Sequence, residues 1–220
     1  MLTRKNGGKQ LPLLLVAALL VLAAAFSSGC AEKGPVLLQD MGYRPAEGAA
    51  APASKIIAGV APFRDLRGAA PSIIGKRVIR EYIENDLVVQ GTVSDIVTAA
   101  TKSALQAQGI AAKDVPAWDL NAETASTGLA DLVIGGEIKS LWVDVLSQPL
   151  NVKTRAVVQL RVAVADGQEK KILRTLNLSS TIEREDVSFS FENVQGAVSE
   201  ALTAALNQLL NDDEFKKRIQ

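Results

Sequence analysis

Side chains that carry out enzyme chemistry are scarce in this 220-residue sequence. It contains no histidine and a single cysteine, Cys30. Histidine is the commonest general base and metal ligand, so its absence excludes a Ser-His-Asp triad and a zinc-binding His-Glu-x-x-His helix. A lone cysteine forms no internal disulfide and no thiolate metal site. We therefore expect a protein that is not an enzyme and that uses no cofactor.

Cys30 follows a segment with the composition of a secretory leader. Arg4, Lys5 and Lys9 come first, residues 11–26 are apolar, and no acidic residue stands before the cysteine. A basic start, a central apolar run and an exit through small residues describe a signal peptide. The apolar run has 16 residues, fewer than the roughly 20 that a membrane-spanning helix needs.

The exit from this leader, Ser27-Ser28-Gly29-Cys30, resembles a bacterial lipobox, although a lipobox usually begins with leucine and Ser27 holds that position here. In a lipobox the cysteine thiol receives a diacylglyceryl group, and the cysteine becomes the first residue after cleavage. We predict that residues 1–29 are a lipoprotein signal peptide and that Cys30 is the lipidation site. An uncleaved anchor and a free buried thiol remain as alternatives.

The residue after the cysteine bears on the choice of membrane. In bacteria with two membranes, an aspartate at this position normally keeps a lipoprotein in the inner membrane. Here the residue is Ala31. The lipobox resemblance therefore implies a lipid-anchored protein of the outer membrane that faces the periplasm.

The charge of the mature chain argues against a nucleic-acid partner. The sequence has 24 basic and 24 acidic residues, and loss of residues 1–29 removes three basic ones, which leaves a net charge near −3. Phosphate backbones demand a basic face, and so does attachment to anionic lipid through a polybasic segment. We expect membrane attachment through the N-terminal lipid, together with an envelope protein as partner. The sequence leaves the oligomeric state open.

A second group of chemically capable residues is Arg64-Asp65-Leu66-Arg67. It follows residues 55–63, which are apolar on both faces and are interpreted as a buried strand. Two guanidinium groups on a turn could contact a protein partner or an anionic ligand, which makes Arg64, Asp65 and Arg67 the candidate partner-binding residues. The structural alternative is that Asp65 accepts N–H groups of the turn and pairs with a neighbouring arginine. We prefer this alternative.

Two further groups carry weaker functional interpretations. The carboxylates of residues 183–186 could bind a hard cation, but Arg184 stands between them, and we expect no metal site. Trp118 and Trp142 could stack on a glycan or a partner. With so few aromatic residues in the chain, we expect both to be packing residues.

The elements that must position these groups begin after a predicted linker. Residues 30–54 are rich in alanine, glycine and proline and are predicted to be a flexible tether, with an edge strand over 36–43 as an open alternative. Residues 55–220 are predicted to be one domain. Its segment 69–91 is interpreted as a long connection with a helical turn near 77–84. A capping box with Thr92 then predicts a helix that ends at Gly109.

The remaining segments predict three strands and a last helix. Residues 132–147 shift their apolar phase near Ser140, which indicates a bulge, and residues 151–165 alternate cleanly between apolar and polar side chains. An Asp-Gly turn leads into a third strand over 170–183. A broad apolar stripe then predicts a helix after Ser190 or Asn193. The predicted fold class is a single α+β domain, mostly antiparallel, in β-α-β-β-β-α order, with two helices packed on one face.

Together these features resemble the YajG-like family of bacterial lipoproteins over residues 43–220. The motifs that carry the resemblance are the lipobox, Tyr43-Arg44-Pro45, residues 63–67 with Ile74-Gly75, and residues 130–138. The resemblance implies an envelope lipoprotein with no assigned reaction. We expect a non-catalytic domain that acts as a binding or assembly accessory. The alternative is a carrier of lipid or glycan, or an auxiliary lipoprotein of an envelope transporter, with a ligand groove between the helices and the sheet.

Overall fold

The computed structural model describes residues 34–46, 48, 53–79, 83–125 and 130–219. The predicted signal peptide (residues 1–29) and Cys30 lie outside these residues. Within them are nine strands and three α-helices: β1 (Val36–Leu38), β2 (Ile57–Val60), β3 (Arg64–Asp65), β4 (Ile73–Ile79), β5 (Ile83–Val89), α1 (Val93–Ala107), β6 (Ala111–Asp114), β7 (Leu132–Ser147), β8 (Val152–Asp166), β9 (Lys171–Asp186), α2 (Phe191–Leu210) and α3 (Asp213–Ile219).

The three long strands β7, β8 and β9 form the antiparallel part of the sheet, as the alternating pattern predicted. β8 pairs with β7 on one side and with β9 on the other. The β7–β8 register shifts between Ile138 and Ser140, so the predicted bulge is confirmed. Within β8 the even-numbered apolar residues are buried, which matches a strand with one face in the core.

The other edge of β7 is occupied by parallel strands, and here the prediction of a mostly antiparallel sheet is wrong. β2, β3 and β4 lie one after another along this edge, each parallel to β7. β2 also pairs in parallel with β6. This pairing is possible because α1, which precedes β6 in the chain, returns the backbone to the end of the sheet where β2 begins. Five of the eight strand pairings among the described residues are parallel.

Residues 69–91 contain a hairpin, and the prediction of a connection with a helical turn is wrong. β4 and β5 pair in antiparallel fashion, and β5 pairs in parallel with β1. Gly75 sits at a register shift, where a Cβ atom would lie 1.9 Å from the carbonyl oxygen of Val143. The glycine therefore lets β4 approach β7 closely.

The two long helices bury apolar residues in one core with the sheet. The Thr92 hydroxyl accepts the N–H of Asp95, and the Asp95 carboxylate accepts the N–H of Thr92, so the predicted capping box is confirmed. Ser190 caps α2. A smaller apolar cluster, which includes Trp118 and Val133, covers part of the opposite face of the sheet. That face is therefore not entirely exposed to solvent.

The segment after β1 packs onto α2. The Tyr43 hydroxyl donates to the Asn207 side chain at 2.9 Å, and the N–H groups of Gly42 and Arg44 donate to hydroxyl groups of α2. Burial raises the pKa of Tyr43. The open question about residues 36–43 is thereby answered, since a strand forms at Val36–Leu38. The predicted tether is not free along residues 36–46.

The outer edge of β9 carries one side chain in place of a further strand. Among the described strands β9 pairs only with β8. At the middle of its other edge, the Gln208 amide of α2 donates to the Ser179 carbonyl at 2.7 Å, and its oxygen accepts the Ser179 N–H at 3.2 Å. One glutamine thus satisfies both outward-facing backbone groups of Ser179.

Candidate partner-binding surface

Arg64 and Asp65 form β3, which lies against the middle of β7. Arg64 is opposite Glu137, and Asp65 is opposite Ile138. The preceding residue, Phe63, is buried in the core and packs on Gly136, where a Cβ atom would lie 2.6 Å from the Phe63 ring. Gly136 is thus a close-packing position inside a strand.

Arg67 is held inside the fold by hydrogen bonds. Its guanidinium donates to both carboxylate oxygens of Asp65, to the Ile73 carbonyl at 2.7 Å and to the Leu141 carbonyl at 3.1 Å. Its side chain is 3% exposed. The Asp65 carboxylate also accepts the N–H of Arg67. These contacts are the ones expected if Asp65 accepts N–H groups of the turn and pairs with a neighbouring arginine. They hold the Arg67 guanidinium away from solvent.

Asp65 is ionised in this arrangement. The side-chain hydrogen bond from Arg67 is the main reason that the pKa of Asp65 lies below its ordinary value, and burial works against it. Separation of the two partners would leave an uncompensated buried charge, so the ion pair stays formed. Because the pair is also hydrogen-bonded to backbone groups, it holds the surrounding backbone in place. Arg67 and Asp65 therefore position the turn that presents Arg64.

Arg64 faces outward and belongs to a cluster around one buried carboxylate. Glu137, whose side chain is 8% exposed, pairs with Arg64 at 2.5 Å, with Lys139 at 2.8 Å and with Arg161 at 3.5 Å. The three cationic side chains are each about half exposed. The Lys139 ammonium, and after it Arg64, lowers the pKa of Glu137, and burial opposes this shift. We call this group the Glu137 cluster.

The Glu137 cluster presents a local excess of positive charge. Three cations surround one carboxylate, and Asp119 adds a further negative charge near Arg64. The pKa of Asp119 is lowered first by the Thr124 hydroxyl, then by backbone N–H groups, and least by Arg64. Half-exposed guanidinium groups suit carboxylate or phosphate oxygens of a partner. The sequence indicated Arg64 for this role, but Lys139 and Arg161 join it only through strand register.

The acidic residues 183–186 do not converge. Glu183 pairs with Arg155, and Glu185 with Asn151, on the outer face of the sheet. Arg184 points to the opposite face and pairs with Glu200 of α2. Alternate side chains of a strand face opposite ways, so this run does not form a carboxylate cage. Trp118 is buried, and its Nε1 donates to the Asn121 carbonyl at 2.8 Å, as expected of a packing residue.

A second surface, which sequence reasoning did not single out, lies at one end of the sheet. Leu150 in the β7–β8 turn and Val187 after β9 are each 88% exposed, and Phe191 at the start of α2 is 51% exposed. Phe191 contacts Phe189 edge to face, with ring centroids 5.2 Å apart. We call these four residues the apolar end. The sequence feature that could have predicted this surface is the alternation of apolar residues at Val187, Phe189 and Phe191, between the end of a strand and the start of a helix.

Arg77 packs against Phe189 of the apolar end. Its guanidinium lies over the Phe189 ring, 3.6 Å from the centroid, and its Nε donates to the Ser147 hydroxyl at 3.1 Å. Burial lowers the pKa of Arg77.

None of the helices in the described part of the chain has the length and hydrophobicity of a membrane-spanning segment.

The sequence matches no protein-family model and no curated protein sequence. Solved structures show a distant likeness. Protein XCC0632 from Xanthomonas campestris, of the DUF330 family, is 15% identical, with 80% of this chain and 91% of that chain covered and a TM-score of 0.49. Lipoprotein GNA1162 from Neisseria meningitidis is 15% identical (73% and 100% covered, TM-score 0.36). A minor lipoprotein from Acinetobacter baumannii is 11% identical (72% and 94% covered, TM-score 0.35). Two of these three neighbours are bacterial lipoproteins, and at these TM-scores they assign neither a family nor a function to this chain.

Proposed function

We propose that this chain is a cell-envelope lipoprotein anchored through Cys30, whose domain binds a protein partner without catalysis at the periplasmic face of the outer membrane. The observation that carries the proposal is the leader that ends in a lipobox-like sequence at Cys30. The first described residue of the folded domain, Gly34, follows only four residues later. A domain that begins so close to the lipid site is suited to work at a membrane surface.

The packing between helices and sheet supports a partner-binding domain over a carrier. A carrier needs an apolar cavity of several hundred Å³ for its ligand. Beneath the helices, Val158 of β8 and Leu202 and Leu206 of α2 are fully buried in one continuous core. A groove of about 300 Å³ lies beside α1, between residues 38–41 and 89–90, and polar side chains form part of its lining. Its apolar lining, which comprises Leu38, Met41, Val89 and Ile96, belongs to the core or packs against it, and Gln39, Asp40 and Gln90 interrupt that lining.

The Glu137 cluster is the surface that we assign to the partner. Arg64 is held in place by the turn that Arg67 and Asp65 fix, so its guanidinium is presented on a rigid element. A rigid, half-exposed cation loses little conformational entropy on binding. We expect the partner to offer carboxylates to Arg64 and Arg161.

Loss of the lipid site tests the anchor. Cys30→Ala should release the chain from the membrane fraction without unfolding the domain, because residue 30 precedes the folded part. Intact mass of the membrane-extracted wild type should begin at Cys30 and include the acyl groups. A wild-type protein that retains residues 1–29, or that is found only in the soluble fraction, would overturn the proposal.

The choice of membrane is tested by fractionation. The wild type should separate with the outer membrane, and Ala31→Asp should move it to the inner membrane. The expected cause is the sorting pattern described above for the residue after the lipidated cysteine. If the wild type already separates with the inner membrane, the outer-membrane partner is excluded and the transporter-auxiliary alternative is favoured.

Crosslinking in native membranes tests the partner. The wild type should give a discrete crosslinked species, which Arg64→Ala combined with Arg161→Ala should abolish. Lys113→Ala is the matched control, because Lys113 is an exposed cation on β6, away from the cluster. Equal crosslinking by all three proteins would show that the Glu137 cluster is not the binding surface.

A further inference from the structure

The chain enters the folded domain at the same end of the sheet as the apolar end. β1 is parallel to β5, so the N-terminal side of β1 points toward the start of β5, which is also the end at which β4 finishes. The Gly34 carbonyl accepts a hydrogen bond from the Asn85 amide at 2.8 Å, two residues after that start. Gly34 therefore lies near the hairpin end of the sheet.

Strand register places the apolar end at the same end of the sheet as this entry point, five strand spacings away across the sheet. Asn85 pairs with Arg77, and Arg77 with Val145 of β7. The ladder continues from Val145 through β8 to Arg184 of β9. β7 and β9 each end two residues beyond this row, or about 7 Å at the rise of a strand. The exposed Leu150 and Val187 project beyond those strand ends.

The length of chain between the lipid site and the domain limits how far this end can stand from a bilayer. Four residue steps connect Cys30 to Gly34, and an extended chain spans at most about 3.3–3.6 Å per residue, or about 14 Å in all. The strand ends and turns reach at least about 7 Å in the same direction. A lipid on Cys30 therefore keeps the turns with Leu150 and Val187 within reach of the bilayer surface.

The chemistry of these residues suits the interfacial region of a membrane. Leucine and phenylalanine side chains bury favourably at the boundary between headgroups and acyl chains, and exposed apolar patches on folded domains mark contact sites. Among the charged neighbours, Glu185, Asp186 and Glu192 are acidic, Lys153 lies opposite Glu185, and the Arg77 guanidinium lies over the Phe189 ring. Among the described residues, one lysine beside three acidic residues does not make the basic cluster that recognises anionic lipid.

We infer that the apolar end inserts Leu150, Val187 and Phe191 into the zwitterionic phospholipid surface of the membrane that holds Cys30. The lipid and the turns then act as two attachment points, which fix the orientation of the domain. This inference rests on the proposed function, because it requires the acyl chains on Cys30. It adds a direct contact between folded domain and bilayer.

Site-directed fluorescence on the full-length lipidated protein tests the insertion. With Cys30 lipidated, a cysteine introduced at one position is the only free thiol. Leu150→Cys and Val187→Cys are labelled with an environment-sensitive probe in phosphatidylcholine vesicles that contain nitroxide-labelled lipid. Gln168→Cys is the matched control, because residue 168 is exposed in the turn at the other end of the 15-residue β8, about 50 Å away.

We expect lipid nitroxides to quench the probe at positions 150 and 187 at least twofold more than at position 168. The quenching should not change when a third of the lipid is anionic. Equal, weak quenching at all three positions would overturn the inference. A blue-shifted probe that lipid nitroxides fail to quench would also overturn it, because a second copy or another protein would then cover this end.

A further variant separates this inference from the anchor itself. With the label at Phe191→Cys, the double substitution Leu150→Asp and Val187→Asp should remove the quenching, whereas Leu66→Asp, at an apolar residue 50% exposed elsewhere, should leave it. Retention on vesicles should persist in all these variants, since the acyl chains provide it. Loss of retention by the unlabelled wild type would instead refute the anchor, and the insertion with it.

Discussion

The Arg67 guanidinium forms a bidentate ion pair with the Asp65 carboxylate, with Nε at 2.9 Å and Nη2 at 2.7 Å from the two oxygens. The same guanidinium donates to carbonyl groups of β4 and β7. One buried side chain thus connects the turn after β3 to the two strands beside it. The Glu137 cluster depends on this connection, because it fixes the strand on which Arg64 lies.

Removal of Arg67 should be costly. Arg67→Ala removes the guanidinium from the Asp65 carboxylate and from two backbone carbonyl groups, although the backbone N–H of residue 67 still donates to Asp65, and the loss of one partner of a buried pair costs about 3–5 kcal/mol. Urea unfolding monitored by circular dichroism gives the change in free energy of unfolding. Arg64→Ala is the control, and it should cost about 1 kcal/mol or less because Arg64 is half exposed. Similar losses in the two variants would contradict the internal role of Arg67.

The Asp65 pair also predicts how stability depends on pH. The pKa of Asp65 is lowered in the folded state, chiefly by the hydrogen bond from Arg67. Its contribution is therefore present above the unfolded-state pKa of 3.8 and is lost as the pH falls through the lower folded-state pKa. Asp65→Asn should reduce the loss of unfolding free energy between about pH 4 and pH 2. Parallel pH profiles for wild type and variant would exclude this linkage.

Two neighbouring residues of β8 should respond very differently to the same substitution. Val158 is 1% exposed in the core, whereas Gln159 is exposed on the other face. Val158→Asp buries an unpaired charge and should destabilise severely, by more than about 4 kcal/mol. Gln159→Asp should change the free energy of unfolding by about 0.5 kcal/mol or less. Thermal and urea unfolding of both variants measures the difference, and equal damage would mean that both faces are covered at this point.

Gly136 should not tolerate a methyl group. A Cβ atom there would lie 2.4 Å from the Arg161 carbonyl oxygen and 2.6 Å from the Phe63 ring. Gly136→Ala should therefore push β7 away from β8 or displace Phe63, at a cost of about 1–3 kcal/mol. Gly42→Ala is the control, since nothing lies within 4 Å of its Cβ position. A Gly136→Ala variant as stable as that control would show that this contact is not tight.

The long antiparallel strands and both long helices could be predicted because local chemistry determines them. Thr92 and Asp95 carry a complete capping box, and β8 alternates with a period of two from Val152 to Val162. The hairpin of β4 and β5 could not, because Ile73-Ile74-Gly75 and Val78-Ile79 show no alternation. These strands are defined by pairing with β1 and β7, which lie far away in sequence.

The parallel arrangement was missed for a related reason. Residues 57–60 and 64–65 are short, and only their register on β7 reveals their direction. Arg64 was recognisable as a chemical group, but Lys139 and Arg161 become its neighbours through cross-strand pairing with Glu137. The apolar end likewise depends on which turns share one end of the sheet. Such relationships are properties of the topology, not of any single segment.

The contact between Gln208 and Ser179 has a consequence for the behaviour of this protein at high concentration. An open edge of a 16-residue strand such as β9 is a template on which a strand of another molecule can add, and such addition begins aggregation. Gln208 occupies the donor and acceptor at the middle of that edge. The edge is thereby divided into two short stretches, and the ends of β9 carry charged side chains. The proposed anchor would crowd copies of the domain in two dimensions, and there protection against strand addition would keep neighbouring copies separate.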